Sequence, residues 1–486
     1  MQTSQSQLPL RTDDDAMAQV AELVQRARHA QKAINDYTQD QADDLALACG
    51  WAIMEPTRNR NLAEVAVRDT GLGNVPDKIT KNYRKTLGLL RDLQTARTVG
   101  VVAEYPELGL IEFARPVGVV AAITPSTNPG ATPANKIINA LKCRNAVIVA
   151  PSPKGAGTCE MLLGYIHEQL ERIGLDRSVA TGLVQMLPSP VSKALTHALM
   201  MQADLVVATG SQANVRAAYL SGTPAFGVGA GNVASIVDAS ADLAAAAERI
   251  MLSKTFDNAT SCSSENSVVV DESVADQLIE EFARIGGVLL DPAEKSALQK
   301  AMWPEGKLSG GLTGKSADVI AATVGLQRPE FAQAKALLVQ EDGFGPDHPF
   351  SGEKLSPVLT VYRCRDTDHA LQIVADIYAY QGAGHSVGLH IDPAQADGLA
   401  RRLASVLPVA RVIVNQAHTI ATGGSFENGL PFSLSMGCGT WGGNNFSANL
   451  DYRQYLNTSR VVYPIPAKEP TETQIFGQFF HRFGHD

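Results

Sequence analysis

The segment Phe256-Asp-Asn-Ala-Thr-Ser-Cys262-Ser-Ser-Glu265 sets a lone thiol after a polar, turn-prone stretch and directly before Asn266-Ser-Val-Val-Val270. The latter run reads as a buried strand, so Cys262 stands at the mouth of a structural element where sulfur can meet a substrate. A thiolate is a strong nucleophile even when only a few per cent is ionised. Most cysteines in reduced proteins are inert core fillers, so the ten residues need support from the rest of the chain.

Four other segments offer it. Thr124-Pro-Ser-Thr-Asn128-Pro129 follows a predicted strand, the end of an open α/β sheet where ligands bind. The Asn128 amide can donate to a developing oxyanion, with a backbone N–H completing the hole, although Asn before Pro is also a common turn former. Val206-Val-Ala-Thr209-Gly210-Ser211 joins a strand to a helix, which favours an anion or simply a Ser-capped helix. Glu353 in Glu353-Lys-Leu-Ser-Pro357 lies just ahead of a strand, where a carboxylate accepts from ribose hydroxyls or stays solvated. Gly382-Ala-Gly-His385-Ser386 sets an imidazole at a glycine-lined strand start, a place for a general base or for a surface histidine. Two glycine runs are weaker. Gly437-Cys-Gly439-Thr-Trp-Gly442 fits G-x-G-x-x-G without a strand before it or a helix after it, and Gly227-Val-Gly229-Ala-Gly231-Asn232 precedes a strand instead of following one. Both lack the context of a dinucleotide fingerprint and read as sites of close backbone approach.

The elements that must carry these groups alternate. Residues 16–95 read as helices, with Leu23, Val24, Ala27 and Ala30 on one apolar face. Residues 99–114 read as two short strands around a Pro-Glu-Leu-Gly turn, a hairpin arm suited to packing on another subunit. From 117 to 237, strands are expected at Val117–Thr124, Ala146–Ala150, Leu183–Leu187, Leu205–Thr209 and Val233–Val237, with helices between them. A second strand–helix series runs from Ser267 to Val414, before a Gly-rich segment and a polar tail with a final aromatic cluster. This pattern implies parallel sheets covered by helices on both faces.

Composition removes other classes. The chain has 486 residues, enough for two or more domains, and a net charge of −9 with no basic stretch, which argues against nucleic-acid binding. Met1 to Asp15 is polar and lacks a signal pattern, and the longest apolar run, Val117 to Ile123, is too short for a membrane span. Six scattered cysteines and ten dispersed histidines lack disulfide-frame or zinc spacing, which fits free thiols in a cytoplasm and no metal site.

Taken in order, the Cys262 segment, Thr-Asn128-Pro, Thr209-Gly-Ser211, Gly229-Ala-Gly-Asn232, Glu353-Lys-Leu-Ser-Pro357 and Gly437-Cys-Gly-Thr-Trp-Gly-Gly-Asn444 resemble the aldehyde dehydrogenase superfamily over roughly residues 16 to 460. Within it the chain is most similar to the CoA-acylating branch. The resemblance implies an α/β fold with a dinucleotide-binding domain (1–97 and 116–238), a catalytic domain (239–444), and an oligomerisation arm and tail (98–115 and 445–486). It implies Cys262 as nucleophile, Asn128 and the Cys262 N–H as oxyanion hole, and His385 as a base for the CoA thiol. Thr209, Gly210 and Ser211 would lie near the cofactor pyrophosphate and Glu353 at the nicotinamide ribose, with Thr124, Ser126, Gly229 and Leu355 lining the same site. The acid that many NAD-preferring relatives carry after the second strand is missing from Ala150-Pro-Ser-Pro-Lys154, so Ser152 and Lys154 could hold a 2′-phosphate; NADP is expected ahead of NAD. The partners implied are CoA, a small aldehyde and further copies of the chain, as a homodimer or homotetramer.

Two departures from the wider superfamily carry mechanism. Hydrolytic members hold a water-activating glutamate where this chain has Gly227-Val-Gly-Ala-Gly, which favours CoA over water as acyl acceptor. The residues around the nucleophile are hydroxylic: Thr260, Ser261, Ser263 and Ser264, joined by His418 and Thr419. Donors buried beside a methyl group would be left unpaired at about 1–3 kcal/mol each. An aldehyde bearing its own acceptors fits Thr260, Ser261, Ser263 and His418 better, with sulfoacetaldehyde expected and acetaldehyde or propionaldehyde as the alternative.

Overall fold

The computed structural model describes residues 13–229 and 231–485; residues 1–12, which hold most of the polar N-terminal stretch, and Ala230 of the Gly229–Asn232 motif lie outside the described residues. Among the described residues fifteen strands form three sheets. They are β1 (Gly100–Tyr105), β2 (Leu110–Pro116), β3 (Val119–Ile123), β4 (Ala146–Ala150), β5 (Val184–Met186), β6 (Leu205–Thr209), β7 (Ala225–Val228), β8 (Val233–Val237), β9 (Glu265–Asp271), β10 (Gly287–Leu289), β11 (Ala336–Gln340), β12 (Val358–Cys364), β13 (Val387–His390), β14 (Val412–Val414) and β15 (Leu456–Val462). The first parallel sheet has the order β5-β4-β3-β6-β7 and the second β10-β11-β12-β9-β8-β13-β14. β3, β4 and β8 are apolar throughout, or nearly so, and buried at every position, as strands covered on both faces must be. Helices Asp14–Ala33, Gln39–Met54, Pro56–Thr70 and Val75–Leu93 join the core of the first sheet through side chains such as Val24, Ala27, Leu45, Ile53, Leu62 and Leu89.

The α/β expectation holds, with one correction. Val233–Val237 does not end the first sheet; it pairs with β9 and β13 inside the second. The true edge strand of the first sheet is β7, which contains Gly227 and pairs with β6. An apolar run signals a buried strand without naming its partner, and parallel partners are distant in sequence. The hairpin β1–β2 forms around Pro106–Leu108 as read, and β15 from the tail pairs with β2 to make a three-stranded antiparallel sheet. All six cysteines are free thiols. Among the described residues no helix is long and apolar enough to cross a membrane, and no cluster of three His, Cys, Asp or Glu side chains could hold a metal ion.

Candidate active site

Strand order places the site. In the first sheet the chain moves outward from β3 to β5 and then returns to β6 on the other side of β3. That reversal opens a crevice at the carboxyl ends of β3 and β6, the usual ligand position in such sheets. Thr124–Asn128 and Thr209–Ser211 follow those two strands. The catalytic candidates of the second sheet cluster at the opposite end of their strands. Glu353, Cys262, Gly231 and His385 precede β12, β9, β8 and β13, which are neighbours in that order. Only residues 229–232 separate the end of β7 from the start of β8. The carboxyl edge of one sheet thereby leads directly into the amino edge of the other.

Cys262 is half-buried, and its Sγ lies 3.5 Å from His385 Nε2. Burial, followed by the field of Glu353, pushes its thiol up to about 12. Burial and then Arg411 push His385 down to about 3, so the resting pair is neutral thiol and neutral imidazole. Gly231 makes the approach possible: a Cβ there would sit 2.3 Å from the Cys262 carbonyl oxygen and 3.0 Å from His385 Cδ2. Its N–H points to Glu353 Oε1 at 3.4 Å, and burial raises that carboxyl to about 7.

The loop before the nucleophile is strained. Asp257, Asn258 and Ala259 have φ of 51°, 53° and 58°, a region costly for residues with a Cβ. Buried Asp257 holds it, accepting from Lys78 Nζ at 3.1 Å, Lys81 Nζ at 2.5 Å, Asn74 N at 3.1 Å and Thr260 Oγ1 at 2.8 Å. Gly73 leaves room for this carboxylate, since a Cβ would lie 1.9 Å from Asp257 Oδ1. Lys81 also donates to Asn128 Oδ1 at 2.8 Å. An ammonium only donates, so it takes the amide oxygen and leaves the Asn128 N–H pair for a substrate. Asn128 Nδ2 makes only a 3.4 Å contact with Thr127 Oγ1.

Beside the nucleophile, a small cavity is lined by Asn128, Ser261, Ser263 and Thr419 together with Lys81, Arg84 and Lys85. The three cations come from the helix Val75–Leu93 and are the functional group that the sequence reading missed. Lys85 Nζ donates to the carbonyls of Gly423 at 2.7 Å and Gly424 at 3.4 Å. Ser261 and Ser263 share a 2.8 Å hydrogen bond on the cavity wall. Two expected substrate contacts point elsewhere: the Thr260 hydroxyl is held by Asp257, and His418 Nε2 meets Ser386 Oγ at 2.8 Å.

The cofactor candidates divide in the same way. Thr124 Oγ1 and Ser152 Oγ, after β3 and β4, are buried without a hydrogen-bond partner among the described residues, a fit for polar groups of a bound nucleotide. Ser126 and Gly229 are half-buried and Lys154 is exposed. Thr209 Oγ1 instead pairs with Ser435 Oγ at 2.7 Å, a partner not foreseen, and Ser211 caps the helix Gln212–Leu220 through Asn214 N. Gly210 keeps a free approach with φ 157°. Leu355 has φ 45° and accepts from Gly314 N through its carbonyl. Gly437–Gly442 opens no α-helix; Cys438 O packs where a Cβ on Gly384 would stand, 1.9 Å away.

The aldehyde dehydrogenase family profile matches residues 5–285. The chain is 61% identical over 477 residues to the sulfoacetaldehyde dehydrogenase (acylating) of Cupriavidus necator, covering 98% of this chain and 95% of that one. It is 39% identical to the enzyme of the same description from Bilophila wadsworthia, over 96% and 100% of the two chains. Among solved structures, the acetylating aldehyde dehydrogenase of Geobacillus thermoglucosidasius superposes with a TM-score of 0.88 at 33% identity, covering 94% of this chain and 99% of that one.

Proposed function

The chain belongs to the aldehyde dehydrogenase family, and from that premise we propose that it oxidises sulfoacetaldehyde with CoA and NAD(P)+ to sulfoacetyl-CoA. The observation that carries the substrate is the cavity that sets Lys81, Arg84 and Lys85 beside Asn128, Ser261 and Ser263. A sulfonate offers three acceptor oxygens and a full charge, and charge-assisted bonds are roughly twice as strong as neutral ones. A methyl group in its place would leave the third Nζ–H of Lys85 and the remaining proton of the Ser261–Ser263 pair without an acceptor.

Cys262 attacks the aldehyde carbon as His385 Nε2 takes the thiol proton. The carbonyl oxygen becomes an oxyanion received by Asn128 Nδ2 and the Cys262 N–H, with Lys81 keeping the amide turned that way. NAD(P)+, when bound against Thr124, Ser126, Ser152, Gly210 and Glu353, supplies the hydride acceptor that leaves the acyl group as a thioester on Cys262. No carboxylate comes from Gly227–Gly231 to activate water, so the thioester waits for CoA; His385, having released its first proton to solvent, takes the CoA thiol proton and returns it to Cys262 as that sulfur leaves. NADP is favoured over NAD because Lys154 stands exposed beside Ser152 with no acid between them. We assign 13–97 with 116–229 to the cofactor domain and 231–444 to the catalytic domain. The sheet of β1, β2 and β15 then serves as an arm between subunits of a homodimer or homotetramer.

The test is cofactor reduction with sulfoacetaldehyde, acetaldehyde and propionaldehyde, with and without CoA and with both cofactors. Sustained turnover should need CoA, and kcat/KM should favour the sulfonate. Free acid formed rapidly without a thiol would sink the acylating reading; equal values for the plain aldehydes would sink the substrate. Cys262→Ala should leave less than about a thousandth of turnover while cofactor still binds, as loss of a covalent nucleophile requires.

A further inference from the structure

His418 has no task in the reaction above, yet it is linked to the nucleophile. Cys262 Sγ lies 3.5 Å from His385 Nε2, His385 Nδ1 lies 2.7 Å from Ser386 Oγ, and Ser386 Oγ lies 2.8 Å from His418 Nε2. His385, Ser386 and His418 are each no more than 1% exposed. One hydroxyl proton serves two rings, so Ser386 donates to one and accepts from the other. If His385 Nδ1–H donates to Ser386 and Ser386 donates to His418, the His385 Nε2 lone pair faces the thiol. In the reverse order an N–H faces the sulfur, and His385 cannot accept its proton. The tautomers of His385 and His418 are thus coupled through Ser386.

We propose that Ser386 and His418 are positioning residues, which hold His385 as the Nδ1–H tautomer with its lone pair on the thiol of Cys262 and later on that of CoA. The proposal rests on the reading of Cys262 and His385 given above. In that order His418 carries its proton on Nδ1, an atom without a partner among the described residues, as is Ser235 Oγ. Both atoms crowd one face of Gly388, where a Cβ would lie 2.0 Å from Ser235 Oγ and 3.2 Å from His418 Nδ1. The charged and titratable groups nearby are Arg411 and Cys262 at His385, His385, His390 and Arg411 at His418, and Glu353, Cys438 and Arg411 at Cys262. Burial keeps both rings neutral, so tautomer rather than charge sets the function. In the first step the S–H bond of Cys262 breaks, its electron pair forms the C–S bond, and the proton passes to His385 Nε2. The Nδ1 proton stays on the ring, shared with Ser386, and the oxyanion balances the imidazolium.

Full-length Ser386→Ala, Ser386→Thr, His418→Leu and His385→Ala variants decide it. Two readouts are needed: CoA-dependent kcat and KM, and the rate at which neutral iodoacetamide alkylates Cys262 from pH 6 to 10, followed by mass spectrometry. Ser386→Ala and His418→Leu should lower kcat by about 10- to 100-fold, less than the 10²–10⁴ of a lost general base, with the aldehyde KM little changed. Alkylation should slow similarly at pH 7 and converge with wild type near pH 10, where hydroxide replaces the base; Ser386→Thr should restore both. His418→Leu carries the test if the Ser386 variants fail to fold. Alkylation profiles that superimpose on wild type, or a slowing that is equal at every pH, would overturn the proposal. If His385→Ala also matches wild type, the Cys262–His385 pairing itself is wrong.

Discussion

Lys81 and Lys85 sit one turn apart on the helix Val75–Leu93, both buried and both lining one cavity, yet they are held differently. Lys81 faces a carboxylate, Asp257 at 2.5 Å, and the Asn128 amide oxygen at 2.8 Å. Lys85 faces the carbonyl dipoles of Gly423 and Gly424 and the ring of Phe432, with no carboxylate in hydrogen-bond range among the described residues. Burial, then repulsion from Arg84 and Lys81, pushes Lys85 down to about 7. One lysine has its counter-charge within the protein and serves architecture, fixing the strained loop and the Asn128 amide. The other has dipoles and no counter-charge, and can give its charge to an anionic substrate.

Removing the counter-charge tests the first half of that contrast and should have the largest effect. Asp257→Asn leaves Lys78 and Lys81 buried without a carboxylate, and breaking such an ion pair costs about 3–5 kcal/mol. Urea unfolding should show a loss of that size, together with lower kcat for every aldehyde as Asn128 loses its support. An unchanged midpoint would mean that the two lysines find other partners and that Asp257 is not the anchor.

Lys85→Met tests the second half. A hydrogen bond to a charged group is worth about 1.5–3 kcal/mol, so kcat/KM for sulfoacetaldehyde should fall roughly 10- to 100-fold. Acetaldehyde should be turned over as well as before or better. Equal losses for the two aldehydes would make Lys85 structural, like Lys81.

A milder probe needs no mutation. With Lys85 held near 7, its ammonium is present below that pH and is lost as pH rises through it, while a sulfonate stays anionic throughout. The KM for sulfoacetaldehyde should rise up to about tenfold per pH unit above 7, a limit set by loss of one required proton. The KM for acetaldehyde, measured alongside, corrects for changes in the nucleophile. A ratio of the two that stays flat from pH 6 to 9 would remove Lys85 as the partner of the anion.

Much of the frame was legible because parallel strands announce themselves as apolar runs: β3, β4, β6, β9 and β12 fall where the pattern puts them. The sheet to which β8 belongs was not legible, since its partners β9 and β13 lie across a sequence gap that no local pattern reports. Cys262 and His385 lie within 3.5 Å of each other, and Asn128 lines one cavity with Ser261 and Ser263 on either side of Cys262. Lys78, Lys81 and Lys85 escaped because charged residues on a helix are normally assigned to the solvent face. Their spacing of three and four residues, in phase with buried Leu89 and Leu93, was the available signal. Thr260 and His418, expected as substrate contacts, are buried with their polar atoms turned to Asp257 and Ser386. Which acceptor each one faces depends on Asp257 and Ser386, and a backbone run of positive φ at Asp257–Ala259 is not written in residue types that tolerate many conformations.

The smallest expected effect separates dipole from charge inside the same cavity. Ser261 and Ser263 share one hydrogen bond of 2.8 Å, so one proton of the pair is occupied and the other is free for a substrate oxygen. Ser263→Ala removes one hydroxyl and, with it, the hydrogen bond that orients the pair's free proton towards the sulfonate. A net neutral hydrogen bond is worth about 1 kcal/mol, or about fivefold in kcat/KM. The loss should appear for sulfoacetaldehyde and vanish for acetaldehyde, whose methyl group makes no such bond. It should also add to that of Lys85→Met in the double variant if the two groups hold different sulfonate oxygens. A Ser263→Ala loss larger than that of Lys85→Met would invert the ranking, leaving the serine hydroxyls as the main grip on the anion and Lys85 as a support for the Gly423–Gly424 turn.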